Sequence, residues 1–553
     1  MARFNRQRFK AATRSEISVD ANDLVAARRI PPHCAAPNRP TWEWEKMTRV
    51  MRRGNFSGGP AHKRDPKSEL FLLAAANMVG KGTFYEAADT RSVRYRALVR
   101  ELALGDPEWT VGMLRWIRTE AQMRTVAMVG AAEFVRTRVD AGAHGHSRQA
   151  VDAVLQRPDE PGKLLEYWTS RYGRALPMPL KRGVADAVRR LYTGRALLKY
   201  DTDSAVYRFG DVLELTHPTP AADRPWQADI FRYALDRRHH GSRAVPPAGE
   251  AMLTAHRELM ALPVAERRAA VTGPGGAERL AAAGMTWEAL AGWLRGPLDA
   301  AAWEAVIPSM GSMALVRNLR NFEEAGISDA AAELVVARLS DREEVLRSRQ
   351  FPFRFLSAYR HASPERWGHA LETALGHSLG NVPALPGRTL VLVDRSGSMF
   401  WESEPGTDLT RADSAAIFGT ALAVRGESVD LVEFGTVSNR IEVGPQASVL
   451  QTLSRFTECG GTFTAWAVRT HYRGHDRVVL ITDEQAYRTE DSILAPVPEH
   501  VPVYTWNLAG YAYAHAAASR RHYTFGGLSD AAFRMIPWIE EGLGTVWPWE
   551  RNP

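Results

Sequence analysis

Cysteine is nearly absent. The 553-residue chain has two, Cys34 and Cys459, far apart, so a disulfide framework is excluded and a cytoplasmic setting is expected. Long apolar runs are missing too. None reaches the roughly 18 residues that a membrane-spanning helix needs, so no membrane partner is expected. The start, Met1-Ala2-Arg3-Phe4-Asn5-Arg6, lacks the apolar segment of a signal peptide. Strand-like alternation does not occur before residue 386. Histidine is present, but His144, His146, His239 and His240 do not have zinc-site spacing and read as solvated loop residues. Negative charge is scarce in one part only. Arg388 to Pro553 holds 14 basic and 20 acidic residues, a net −6, which leaves +13 on the preceding 387 residues of a chain of net +7. Such asymmetry points to a polyanion as the partner of the N-terminal two-thirds. General enrichment in arginine is the alternative reading, and it explains the acidic C-terminal third less well.

What is present centres on Thr389-Leu390-Val391-Leu392-Val393-Asp394-Arg395-Ser396-Gly397-Ser398-Met399. The unbroken apolar and β-branched run predicts a strand buried on both faces, as in the middle of a parallel sheet. It stops at Asp394, and a Ser-Gly-Ser turn follows. Ligands of open α/β sheets sit beyond the carboxyl ends of the strands. Asp394, Ser396 and Ser398 therefore present a carboxylate and two hydroxyls at that edge, hard oxygen donors suited to Mg2+, Ca2+ or Mn2+. Arg477 to Thr482 repeats the pattern, a buried strand followed by Asp483 and Glu484. Gly460-Gly461-Thr462 offers a hydroxyl on a turn before a helix from about Thr464. Asp, Ser, Ser, Thr and Asp on three loops in this order resemble the metal ion-dependent adhesion site (MIDAS) of von Willebrand factor A domains. The alternatives are a Rossmann-like domain whose loop residues cap helices, and a phosphatase with Asp394 as phosphoryl acceptor. The second lacks another Asp two residues on and an evident Lys partner.

In chain order, residues 1–62 read as a basic arm, with 12 basic and 5 acidic residues and the breaks Pro31-Pro32, Pro37, Pro40 and Gly58-Gly59-Pro60. Residues 63–379 read as successive amphipathic helices, an α-solenoid without a visible strict period. Residues 380–387, with Pro383 and Pro386, read as a linker, and 388–553 as the α/β domain. Within the helices, 171–210 carries nine basic and three acidic residues, with Arg171, Tyr172, Arg174, Lys181, Arg182, Lys199 and Arg208, and His217 follows. Lys and Arg neutralise phosphates, and Arg and Tyr stack on unpaired bases. An ordinary solvated helix face is the alternative.

The series is specific: Phe71-Leu72-Leu73, Gly173-Arg174-Ala175-Leu176 with a basic helix, Lys199-Tyr200, Leu213-Glu214-Leu215-Thr216-His217-Pro218, Met313-Ala314-Leu315-Val316-Arg317-Asn318-Leu319, Pro352-Phe353-Arg354-Phe355-Leu356, then the α/β domain. Together these resemble the Ro autoantigen family, whose helical part is the TROVE domain, and in particular its bacterial members. The resemblance implies an all-α ring of HEAT-like repeats closed by a doubly wound α/β von Willebrand factor A domain. It implies a non-catalytic RNA-binding ribonucleoprotein component that acts in RNA quality control, maturation or decay. Y or Y-like RNA is expected on the outer surface and single-stranded 3′ ends in the central hole, with an exoribonuclease such as polynucleotide phosphorylase as a protein partner. RNA-binding candidates are then Arg174, Lys181, Arg182, Lys199, Arg208 and His217. Metal candidates are Asp394, Ser396, Ser398, Thr462 and Asp483, with a divalent cation as cofactor. One departure is Pro177-Met178-Pro179-Leu180, which is expected to delay the basic helix. Two other readings stand beside this one: a metal-dependent protein-interaction scaffold, and a metal-dependent nuclease, for which a general base is not evident.

Overall fold

The computed structural model describes residues 62–75, 88–348, 350, 352–400, 409–444, 448–486, 492–510, 513–516, 521–526, 535–538, 540 and 547–550. Nearly all of the basic arm lies outside these residues. From Pro66–Ala75 to His369–Ser378 the chain is a succession of α-helices, as the apolar spacing predicts. Local chemistry sets their limits. In Pro107–Thr119, Asp106 caps the first turn by accepting from the Trp109 amide at 3.2 Å, and Pro107 stands where no N–H is needed. Helices approach closely where side chains are small. A Cβ on Gly130 would lie 2.4 Å from the Tyr95 hydroxyl, and Tyr95 instead donates to the Val126 carbonyl at 2.8 Å.

The prolines do not delay the basic helix beyond Met178. It runs Met178–Leu191, with Pro177 as its extended N-cap residue and Pro179 in the first turn, where proline fits a helix. Lys181 and Arg182 accordingly stand at its start.

The C-terminal sheet has strands β2 (Arg388–Asp394), β3 (Ser428–Phe434), β4 (Ser438–Ile441), β5 (Arg477–Thr482), β6 (Val503–Asn507) and β8 (His522–Gly526). Their order is β4-β3-β2-β5-β6-β8, parallel except for β4. Thr389 to Asp394 and all of β5 are buried, as expected for central strands. Alternate residues serve opposite faces: Leu390 and Leu392 pack with Val478 and Leu480, while Val391 and Val393 join Val479 and Ile481 in a core that runs on into the helices. Val382 and Leu385, in the segment expected to be a linker, belong to that same core.

A second core runs from Leu70 to Leu253 and is met at its start by Trp547 and Trp549. Both ends of the helical run therefore touch the α/β domain, and the chain closes into a ring. At the far end, Arg360 pairs with Asp413 at 2.9 Å. At the near end, a two-residue strand β1 (His62–Lys63) pairs with β7 (Tyr513–Ala514). This corrects the expectation that no strand precedes residue 386. Two residues carry no periodicity, and only the tertiary partner makes them a strand.

Candidate functional site

The five hydroxyl and carboxyl residues named from the sequence converge at the carboxyl edge of β2 and β5. Asp394 ends β2, and Asp483 follows β5 directly. Main-chain bonds tie their loops together: Arg395 N donates to Phe434 O at 2.8 Å, Cys459 N to Arg395 O at 2.9 Å, and Gly397 N to Gly460 O at 2.8 Å. Gly435 allows this approach, since a Cβ there would lie 2.4 Å from the Cys459 carbonyl. Thr462 is thus carried in, two residues before the helix Thr464–His471. Ser396 and Ser398 place their hydroxyls 3.5 Å apart. All five residues are buried.

The two carboxylates have unequal partners. Asp394 accepts from the Ser396 amide at 2.8 Å and from the Thr482 hydroxyl at 2.6 Å. Burial and the Asp483 charge push its carboxyl up to about 7, against these bonds. Burial raises Asp483 too, opposed by Ser398, the Gln485 amide and Arg411. Its Oδ2 is buried and accepts no hydrogen bond. A buried carboxylate oxygen without a donor, among three hydroxyls and a second carboxylate, fits a hard divalent cation. Among the described residues no group of three or more His, Cys, Asp and Glu forms, so any such site draws on hydroxyls.

Glu484, next in the chain, faces the opposite way. With φ at 62° it adopts a left-handed backbone that non-glycine residues seldom take. Its buried carboxylate pairs with Arg64 of the N-terminal segment and accepts from Asn507 Nδ2 at 2.5 Å. Asn507 in turn accepts from the amides of Ala509 and Gly510 at 2.8 and 2.5 Å. The carbonyls of those two residues accept from Arg91 at 2.6 Å and Arg94 at 2.9 Å, both on the helix Ala88–Gly105. The Asp483 edge of the sheet and the ring closure are therefore adjacent in sequence. Glu484 was legible only as an acid after Asp483, because Arg64 is 420 residues away.

The RNA-binding candidates lie on successive helical elements rather than in one pocket. Arg174 is exposed on the turn after Gly173, whose φ of 80° ends the helix Glu160–Tyr172. Lys181 is half-buried and Arg182 exposed in the first turns of Met178–Leu191. Lys199 is exposed on Gly194–Tyr200, its ammonium 5.3 Å from the Tyr200 ring centre. His217 is exposed and left-handed, with φ at 48°, at the end of Phe209–Thr216. Arg208 differs from these. Its guanidinium is held by Asp201 at 2.9 Å and Asp203 at 2.7 Å, so it fastens the start of Phe209–Thr216.

The TROVE domain family model matches residues 282–365. Telomerase protein component 1 of Mus musculus is 46% identical over 76 residues, 13% of this chain and 3% of that protein. The Rattus norvegicus protein is 47% identical over 62 residues, 11% of this chain and 2% of its own length. The chain thus spans only a few per cent of these curated relatives. Among solved structures, the Deinococcus radiodurans Ro (Rsr) protein superposes with a TM-score of 0.60 over 87% of this chain and 100% of its own, at 19% identity, a likeness of fold. The chain thus has the fold of the Ro protein and carries, inside its helical run, a stretch similar to the TROVE domain.

Proposed function

We propose that this protein binds RNA without cutting it. Structured RNA of the Y or Y-like kind lies on the outer helices, and the ring takes a loose single-stranded 3′ end. The observation that carries this reading is a helical run closed by the C-terminal domain, with +6 on residues 63–387 and a further +7 on residues 1–62 against −6 on that domain. Phosphates supply the affinity, with little sequence preference. Shape supplies the choice, because a single strand enters where a duplex does not. Released or decaying RNA with such ends is the substrate class of RNA quality control, and an exoribonuclease is the fitting partner.

The test is a duplex with a 3′ overhang against its blunt version across a salt series. The overhang should bind more tightly, and about six phosphate contacts predict a loss of roughly a thousandfold between about 50 and 200 mM salt. Lys181→Ala with Arg182→Ala should flatten the salt slope by about two. Equal affinity for the two RNAs, or affinity indifferent to salt, rejects the reading.

A second reading rests on the donorless oxygen of Asp483. A divalent cation held by Asp394, Ser396, Ser398, Thr462 and Asp483 takes its remaining ligand from a partner protein's carboxylate. Proton and cation compete for Asp394, whose carboxyl titrates near 7. The metal-free folded state holds that proton more tightly than the unfolded chain does. Its stability therefore falls as pH rises from about 3.9, the unfolded value, through 7. Mg2+ or Mn2+ should raise the melting temperature at pH 8 and about tenfold higher concentrations should be needed at pH 6. Asp394→Ala should abolish that shift and leave RNA affinity intact. Loss of RNA binding in a folded Asp394→Ala protein would assign the crest to RNA instead.

A further inference from the structure

Glu133, wholly buried in the helix Arg124–Asp140, gathers more donors than its charge requires. Arg100 gives it Nε at 3.0 Å and Nη2 at 2.8 Å. Tyr167 and Tyr172 give their hydroxyls at 2.9 and 2.5 Å, and Arg171 gives Nε at 3.0 Å. Arg100 alone would neutralise the carboxylate through two bonds. The added arginine and phenols fix the planes of side chains that reach the surface. Arg100 and Arg171 are 48% and 36% exposed. Arg171 spends only Nε on the node, and no partner for its Nη1 or Nη2 is found among the described residues. Arg136, 41% exposed, stands 5.4 Å from the centre of the Tyr172 ring, and Arg171 stands 5.6 Å from it. Three helices, Ala88–Gly105, Arg124–Asp140 and Glu160–Tyr172, supply these groups. Gly173 then turns the chain straight into Arg174 and the basic start of Met178–Leu191.

We propose that Arg100, Arg136, Arg171 and Tyr172 form a rigid platform that stacks an unpaired RNA base and binds its phosphate, with the buried Glu133 anchoring Arg100, Arg171 and Tyr172, and Asp140 holding Arg136 through Nε at 2.8 Å. The assignment rests on the RNA-binding reading and gives it a site outside the residues named from the sequence. Guanidinium planes fixed around a ring suit the π-face of a base with a phosphate beside it. An acidic peptide would use the charge and not the planes. Conformational entropy is already lost in the free protein, so little is left to lose on binding.

The test uses the full chain and an RNA hairpin with a single-stranded tail in which 2-aminopurine is scanned along the tail, with a blunt hairpin beside it. Wild type should quench the fluorophore at one tail position. Arg136→Lys with Arg171→Lys keeps both charges and removes both planes. It should abolish that quench and weaken the tailed RNA about tenfold, with the blunt hairpin changed less than about twofold. Should the double variant melt earlier than wild type, Arg136→Lys alone, which leaves every bond to Glu133 in place, carries the test with the same loss of quench. Unchanged quench and affinity in the lysine variants overturn the platform while wild-type binding keeps the RNA reading. Wild type that binds neither hairpin overturns both.

Discussion

Glu484→Ala should unfasten the ring at its N-terminal joint. The substitution leaves Arg64 buried without its carboxylate and takes an acceptor from Asn507, which organises the turn that Arg91 and Arg94 hold. Removing one partner of a buried ion pair costs on the order of 3–5 kcal/mol, because the remaining charge stays desolvated. The cost should fall on the joint. Amide exchange should accelerate in His62–Ala75 and in β7, while the central strands β2 and β5 stay protected. Arg64→Leu should do the same, and pairing Arg64→Leu with Glu484→Leu should recover part of the loss, since no uncompensated charge remains. Uniform exchange in the single variant would show that the pair does not hold the joint. The pH dependence has a definite sign. Burial pushes the Glu484 carboxyl up, but Arg64, His515 and Asn507 outweigh it and hold it below its usual range. Its contribution is therefore present above about pH 4.3, the unfolded value, and is lost as pH falls further through the depressed folded one.

Trp549→Ala should weaken the same end of the ring from another side. Trp549 stacks on Trp547 with ring centres 5.2 Å apart and meets Trp109 at 5.3 Å, Phe71 at 5.7 Å and Trp116 at 5.9 Å. Trp547 and Trp549 thereby plug the helices Pro66–Ala75 and Pro107–Thr119. Deleting a packed tryptophan costs about 3–5 kcal/mol, and the lower figure applies to a ring that is half-buried. The pocket is cut for this ring: a Cβ on Gly112 would lie 2.3 Å from Trp549 Cδ1. Gly112→Val should evict the ring and match Trp549→Ala in melting temperature and in the red shift of tryptophan emission. If Gly112→Val melts like wild type, the plug is not seated as described.

Much of this was legible from short stretches. Residues 389–393 and 477–482 are apolar without a break because central parallel strands face protein on both sides, and they are buried as read. A residue that ends such a strand stands at the sheet's edge whatever the rest of the fold does, so Asp394 and Asp483 were readable as neighbours. Helix succession was legible for a similar reason, since each helix declares its own apolar face. The basic stretch was read by composition, and composition does not separate roles. Arg208 and Arg182 look alike in sequence, but Asp201 and Asp203 hold Arg208, and Arg182 is exposed. Pairing depends on where acids arrive in space.

The elements, their order, the opposed charges of the two parts and the oxygen donors that end β2 and follow β5 can all be read from the amino acids alone. Each of these follows from interactions over a few residues or from composition. That the two parts meet is a matter of three-dimensional packing: His62 and Lys63 become a strand, Glu484 faces Arg64, and Trp549 fills the space beside Gly112. Those contacts join residues hundreds of positions apart and carry no periodicity, so they come into being only when the helical run has curved far enough to bring its beginning back to the domain that follows it.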